Sequence, residues 1–318
     1  MKNNKWLWIG TIVLLILVVG PFLIPVGTVG EIEDPKSLAD PDSQFMPVSG
    51  LDLHYKLAGE GSPVFVLLHG FGASTYSWRS VVDDLAQVGT VITYDRPGFG
   101  LTERPLVWEG ESPYSPDAQV EIVLELMDEL DLEEAILIGN SAGGTVALNT
   151  ALSAPSRVSA LILVDAAVYA GGGSPAWVRP LLFTPQLDHL GPLLARTISN
   201  RGDQFIMNSW HQPQRIPEEV FINYRKPLQV QNWDRALWEL TKSSYPLNLD
   251  QRLTELSVPT LVITGDDDRI VPTEDSIRLA SEIPGADLAV IENCGHLPQE
   301  ECPAEFLEAV FGFVSETP

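Results

Sequence analysis

Gly139-Asn140-Ser141-Ala142-Gly143-Gly144 sets a serine among small residues, after an apolar run that reads as a strand and before a segment that reads as a helix. A sharp strand-to-helix turn puts such a serine in strained backbone geometry and projects its Oγ from the carboxyl edge of a sheet, as a nucleophile requires. Small residues at 139 and 143 let neighbouring chain pass closely. A serine hydroxyl attacks only when a base takes its proton, and the base must be held by an acid. Among five histidines the base candidate is His296, in Asn293-Cys294-Gly295-His296-Leu297-Pro298, between the last expected strand and the last helix. His54 lies in an early hairpin, and His189 and His211 read as surface or packing residues of a long insertion. For the acid, Gly265-Asp266-Asp267-Asp268-Arg269 follows a strand. Asp268, three residues past the glycine, is the choice; Asp165, ending the preceding strand, is its rival, and Asp266 and Asp267 read as solvated loop or helix-cap residues. The backbone N–H groups of Phe71 and Ala142 are the expected donors to a developing oxyanion. His69, Gly70, Asn140 and Gly143 are expected to shape the site, His69 by orienting its loop, and so is the Asp95 to Gly100 turn.

Strands and helices must alternate to place these residues on one edge. Apolar or alternating runs at 45–48, 51–57, 64–68, 91–94, 135–138, 160–164, 260–264 and 288–291 read as eight strands. Helical stretches are expected at 76–87, 117–130, from 142, at 274–281 and from 304. Strands apolar on both faces, separated by helices, indicate a mostly parallel sheet covered on both sides. The alternation stops over 168–248, too long for a loop. That segment holds 10 of the 26 aromatic residues and 8 of the 25 prolines, which suits a compact helical insertion after the sixth strand.

A net charge of −24 with 45% hydrophobic residues excludes disorder and nucleic-acid binding. Two cysteines exclude a disulfide scaffold or a multi-thiolate zinc site. Residues 6–25 are apolar and uncharged, and at a helical rise of about 1.5 Å per residue they span roughly a bilayer core. Lys2 and Lys5 precede this run and acids follow it, so the expectation is an anchor at 1–25 with the rest outside the cytoplasm. A cleaved signal peptide and a secreted domain is the alternative, though no A-x-A-like site follows. Residues 26–44 read as a tether, 45–167 and 249–318 as the two parts of the core. Residues 168–248 carry a net charge of +2 against −28 for the rest of the exported part. That asymmetry is read as ordinary surface variation, the alternative being that the insertion faces lipid headgroups or a substrate carboxylate.

From residue 45 to 315 the chain resembles the α/β-hydrolase superfamily, through HGFGAS at 69–74, DRPGFG at 95–100, GNSAGG at 139–144, GDDDRIVP at 265–272 and GHLPQEE at 295–301. The order Ser141, Asp268, His296 is that family's order. The resemblance implies an eight-stranded sheet, a cap at 168–248 roofing the pocket, and no metal or organic cofactor. Small residues common at position 294 in similar sequences suggest a buried free thiol for Cys294, although a bridge to Cys302 is permitted outside the cell. A serine nucleophile argues against epoxide hydrolases and haloalkane dehalogenases. The expected activity is hydrolysis of small-molecule carboxylic esters. The alternative is carbon–carbon bond hydrolysis of the meta-cleavage type, or perhydrolysis, on the same triad; those carbon–carbon hydrolases typically carry a tryptophan after the histidine, where this chain has Leu297. A slow ligand receptor on the same fold is the remaining reading.

Overall fold

The computed structural model describes residues 5–27, 32–169, 173–175 and 177–317. Eight strands form one sheet: β1 (Gln44–Val48), β2 (Leu51–Ala58), β3 (Val64–Leu68), β4 (Thr90–Tyr94), β5 (Ala135–Asn140), β6 (Val158–Val164), β7 (Thr260–Gly265) and β8 (Asp287–Ile291). Their order is β1-β2-β4-β3-β5-β6-β7-β8, with β2 antiparallel to both neighbours and all other pairs parallel. Every expected strand is present, within two residues at each end. Because side chains alternate across a strand, β3 sends Phe65 and Leu67 into one core and Val66 and Leu68 into another. Both faces are therefore buried, as a parallel sheet demands.

The first face is covered by α3 (Pro116–Glu129), α4 (Ala142–Ser153) and α10 (Thr273–Glu282), the second by α2 (Val82–Leu85) and α12 (Pro303–Glu316), with α11 (Pro298–Glu301) leading into α12. The helix expected at 76–87 is instead a 3-10 turn, Thr75–Trp78, followed by the short α2. Its residues 75, 77, 80, 81 and 82 are Thr, Ser, Ser, Val and Val, all weak helix formers. The backbone is instead pinned by Thr75 N–H donating to Asp95 Oδ1 at 2.7 Å and by Trp78, which is fully buried near Phe306.

Between β6 and β7 lie α5 (Arg179–Leu182), α6 (Pro185–Ser199), α7 (Gly202–Asn208), α8 (Glu218–Arg225) and α9 (Trp233–Ser243), an all-helical insertion. Its basic residues are largely consumed in pairs. Arg235 and Lys242 of α9 meet Asp188 of α6 and Glu239, Arg196 meets Asp234, Arg225 meets Asp203, and Lys226 meets Asp40. Most of these pairs join one inserted helix to another, and Lys226 ties the insertion to the segment before β1.

At the N-terminus α1 (Lys5–Val19) runs on as a 3-10 turn to Leu23, and these 19 residues are long and apolar enough to cross a membrane, with no residue buried in the protein. The chain beyond it is less free than a tether. Gln186 Nε2 donates to Val18 O at 3.2 Å, His189 Nε2 to Ile24 O at 2.9 Å, and Arg196 to Gly27 O, so α6 holds the exit of α1. Glu33 N–H donates to Gln229 O at 3.0 Å, and Lys56 and Lys226 both bind Asp40.

The structure corrects the expectation of a free thiol: Cys294 and Cys302 are joined in a disulfide, their Cα atoms 6.3 Å apart. The α11 turn folds the chain back, which position-by-position comparison with other sequences does not reveal. The bridge joins cysteines eight positions apart and closes a loop that contains His296.

The close approach at Gly143, the open space at Gly312 and the disulfide each predict a change in stability. A Cβ on Gly143 would stand 2.1 Å from Leu68 O, so β3 or α4 must move; Gly143→Ala is expected to cost about 3 kcal/mol in denaturant unfolding. Gly312→Ala in α12, where nothing lies within 4 Å, should instead stabilise by about 0.5–1 kcal/mol. Near-equal midpoints for the two variants would contradict the close approach. Reducing the disulfide should lower the unfolding free energy by about 2.5 kcal/mol from loop-closure entropy, and unchanged melting after reduction would contradict its constraint.

Candidate active site

Ser141 joins β5 to α4 with φ 54° and ψ −119°. A non-glycine residue at positive φ costs about 1–3 kcal/mol and persists only where its surroundings compel it. Here Ser141 N–H donates to Val164 O at 2.9 Å, its carbonyl accepts from Ala167 N–H at 3.1 Å, and α4 presses against β3 at Gly143. Gly70 borders the turn from the other side, where a Cβ would lie 3.2 Å from Ser141 Cβ. The neighbouring Asn140 sends its Nδ2 to Val164 O at 3.3 Å and to His296 O at 3.1 Å, tying the turn to the histidine loop.

His296 is 2% exposed, and its Nδ1 lies 2.7 Å from Asp268 Oδ2. The other oxygen of Asp268 accepts the N–H groups of Ile270 at 2.7 Å and Val271 at 3.0 Å, so the carboxylate is oriented by the backbone that follows it. This leaves the far ring nitrogen of His296 for Ser141, and the two residues line one small cavity with Phe71, Phe205, Tyr224 and Leu297. The sequence's choice of acid is thus the one that touches the ring. Its rival is close by: Asp165, fully buried at φ 45°, accepts Thr264 Oγ1–H at 2.7 Å and Gly265 N–H at 3.3 Å. One oxygen of each aspartate and one ring nitrogen of His296 lie within 4.8 Å of one another. Burial, then the charge of Asp268, push the Asp165 carboxyl well above the usual carboxylate range.

His69 is buried, donates from Nδ1 to Gly70 O at 2.8 Å and accepts Arg96 N–H at Nε2, 3.0 Å. Burial, then the Arg96 charge, push it down to about 3, so the ring is a neutral brace between the two loops after β3 and β4. Burial would raise the Asp95 carboxyl, yet His54 beside it, with the N–H groups of Leu101 and Thr75, holds it well below its usual range. His54 is therefore a partner of this internal aspartate, far from the triad in role.

Phe71 and Ala142 line a common cavity of about 580 Å³ with Arg96, Thr145, Asn149 and Tyr245. A second, of about 750 Å³, is lined by Phe71, Phe99, Arg104, Ile198, Tyr224 and Trp233, and so lies between the sheet edge and the inserted helices. Both volumes suit a small organic substrate. Arg96 is 3% exposed; its Nη1 donates to Gln119 at 2.7 Å, while Nε and Nη2 find no partner among the described residues. Burial brings its guanidinium down to about 10.

Several residues at the site escaped the sequence reading. Glu301 accepts the N–H groups of Gly295, His211 and Gln212 at 2.8–2.9 Å, and His296 N–H donates to Ser209 O at 2.7 Å. The insertion is thereby stitched to the histidine loop, and His211 Nδ1 meets Asp267 Oδ2 at 2.8 Å beside the acid. His211 and Asp267, read as surface residues, are thus a contact between insertion and core. Tyr224, from α8, reaches the Ser141 cavity and binds the buried Glu300, which pairs with Arg79 at 2.7 Å. Acids within a motif so near His296 were the available signal.

Residues 63–303 match the sequence family of the alpha/beta hydrolase fold. The 2-hydroxy-6-oxononadienedioate/2-hydroxy-6-oxononatrienedioate hydrolase of Burkholderia vietnamiensis is 31% identical over 282 residues, covering 83% of this chain and 91% of that protein. The enzyme of the same name from Comamonas testosteroni is 30% identical over 286 residues, covering 84% and 93%. Among solved structures, the 2-hydroxy-6-oxo-6-phenylhexa-2,4-dienoate hydrolase of Rhodococcus sp. strain RHA1 superposes with a TM-score of 0.69 at 26% identity, over 86% of this chain and 98% of that one. With its sheet order, its serine turn and these matches, the chain belongs to the alpha/beta hydrolase fold family.

Proposed function

We propose that this hydrolase opens a carbonyl substrate with Ser141 as nucleophile, His296 as general base and acid, and Asp268 as the group that holds His296. The observation carrying this reading is the strained Ser141 facing one cavity with a His296 ring already bonded to Asp268. His296 takes the proton of Ser141 Oγ as it attacks; the N–H groups of Phe71 and Ala142 receive the oxyanion; His296 then protonates the leaving group and activates water against the acyl-enzyme.

Of the bonds this machinery breaks, the carbon–carbon bond of a 2-hydroxy-6-oxo-dienoic acid is the better supported, a change from the ester expected from the sequence. The relatives that are 30–31% identical are named as hydrolases of 2-hydroxy-6-oxononadienedioate and 2-hydroxy-6-oxononatrienedioate, acids of this class. A carbon leaving group must be stabilised as an enolate, so the proton of the 2-hydroxyl must first move to C5; in the resulting 2-oxo-3-enoate, breaking the C5–C6 bond leaves a dienolate conjugated with the 2-oxo group, which then takes a proton. Such substrates carry a carboxylate, and Arg96, buried with N–H groups that meet no acceptor among the described residues, lines the cavity of Phe71 and Ala142. Ester hydrolysis is the second reading, favoured by Leu297 after His296 and by the exposed apolar α1 held against α6. For location, we propose an uncleaved N-terminal anchor with the hydrolase outside the cytoplasm; α1, the acids that follow it, and a disulfide typical of oxidising compartments support this.

The test is full-length protein in detergent, given 2-hydroxy-6-oxo-6-phenylhexa-2,4-dienoate and p-nitrophenyl esters from acetate to palmitate, beside Ser141→Ala. Loss of dienoate absorbance is expected, with kcat reduced about 10⁴-fold or more in Ser141→Ala. Turnover of esters alone would replace the carbon–carbon reading by the ester one, and equal rates in Ser141→Ala would remove the serine mechanism.

A further inference from the structure

We propose that Asp165 is held as the carboxylic acid and donates its proton in a hydrogen bond to Asp268, forming an acid–carboxylate pair behind His296. The register of the sheet brings them together. Val164 of β6 lies opposite Ile263 of β7, so Asp165, the residue just past β6, and the loop that follows β7 emerge side by side at the carboxyl edge. The two oxygens of Asp165 are not equivalent. Oδ1 accepts from Thr264 Oγ1–H and Gly265 N–H, the pattern of a carbonyl oxygen. Oδ2 is buried and meets no donor among the described residues. An ionised oxygen there would have lost its water with nothing in exchange, which is costly, whereas a hydroxyl needs only an acceptor.

The acceptor present is Asp268, within the same 4.8 Å cluster. Asp268 Oδ1 already takes two backbone N–H groups and Oδ2 takes the His296 ring, so Asp268 is the member of the pair equipped to carry the charge. Two carboxylates this close and this buried cannot both ionise cheaply. The titratable groups facing Asp165 are Asp268 and His296; Thr264 and Gly265 of β7 are its neutral neighbours, and no lysine or arginine pairs with it among the described residues. Burial and the Asp268 charge raise the Asp165 carboxyl, in agreement with this arrangement.

Asp165 touches no substrate and acts through Asp268, so it is a positioning residue. Its proton keeps a single negative charge behind His296 and draws electron density from Asp268, which moderates how strongly the pair holds a protonated ring. An asparagine at 165 can make the same bonds, its NH2 replacing the hydroxyl; an alanine cannot.

The proposed roles of Ser141, His296 and Asp268 give the pair its purpose, but the test needs no turnover. The full-length protein in detergent is examined by infrared spectroscopy at mildly alkaline pH, and the His296 ring is titrated by nitrogen NMR, in wild type, Asp165→Asn and Asp165→Ala. A carboxylic-acid carbonyl band is expected in wild type and missing from Asp165→Asn. Asp165→Ala should raise the His296 midpoint by about one pH unit, since Asp268 is freed to hold the ring more tightly, and Asp165→Asn should restore it. No such band, or a His296 midpoint that falls in Asp165→Asn, would mean that Asp165 is ionised and overturn the proposal. Failure of the isosteric Asn variant to fold would overturn it too, because an acid and an amide make the same bonds here. Should only the alanine variant fail to fold, the infrared comparison decides alone. Absence of dienoate or ester turnover would fail the proposed reaction and leave this inference standing.

Discussion

The rest of the site depends on one backbone turn. Ser141 sits at positive φ because β5 must reverse into α4 within a single residue, and α4 must then lie against the carbonyls of Leu68 and His69 at the end of β3. The glycine at 143 permits that contact, and the hydrogen bonds to Val164 and Ala167 fix the turn from the β6 side. The strain, about 1–3 kcal/mol, is carried by a sheet with two buried faces. Moving any of the three strands β3, β5 or β6 would release it and retract the serine.

Around this rigid point the partners are held by cross-links of different chemistry. The histidine loop is closed by a disulfide, bound to Asn140 and stitched through Glu301 and Ser209 to the inserted helices. The loop after β4 is braced by neutral His69 and by Asp95, whose charge is satisfied by His54 and backbone N–H groups. Preorganisation of this kind lets a hydroxyl, a ring and a carboxylate meet a transition state without rearrangement. The inserted helices share in it, since His296 N–H is bonded to one of their carbonyls. They are part of the site's framework as well as its roof.

Most of the fold was legible because its signals are local. β3 reads off directly as Val-Phe-Val-Leu-Leu between a glycine-rich break and a glycine turn, and the other parallel strands are similarly apolar on both faces. The residues singled out for chemistry do converge, since each follows a strand and the sheet brings all strand ends to one edge. What was illegible depends on register or on folded side chains. Asp165 and Asp268 looked like competitors for one role in the sequence, whereas adjacent strands make them neighbours. The Cys294–Cys302 bridge needed the α11 turn, and the stretch at 76–87 lost its helix to the burial of Trp78. The substrate was least legible, because the ester and carbon–carbon reactions need the same three residues.

The central claim is that Ser141, activated by His296, is the nucleophile. The most direct measurement is intact-mass and peptide mapping of the full-length protein after treatment with a fluorophosphonate, which is attacked by activated serines whatever the natural substrate. The account predicts one adduct, on Ser141, formed by the wild type and abolished in His296→Ala. An unlabelled folded protein, or an adduct at another serine, would contradict it.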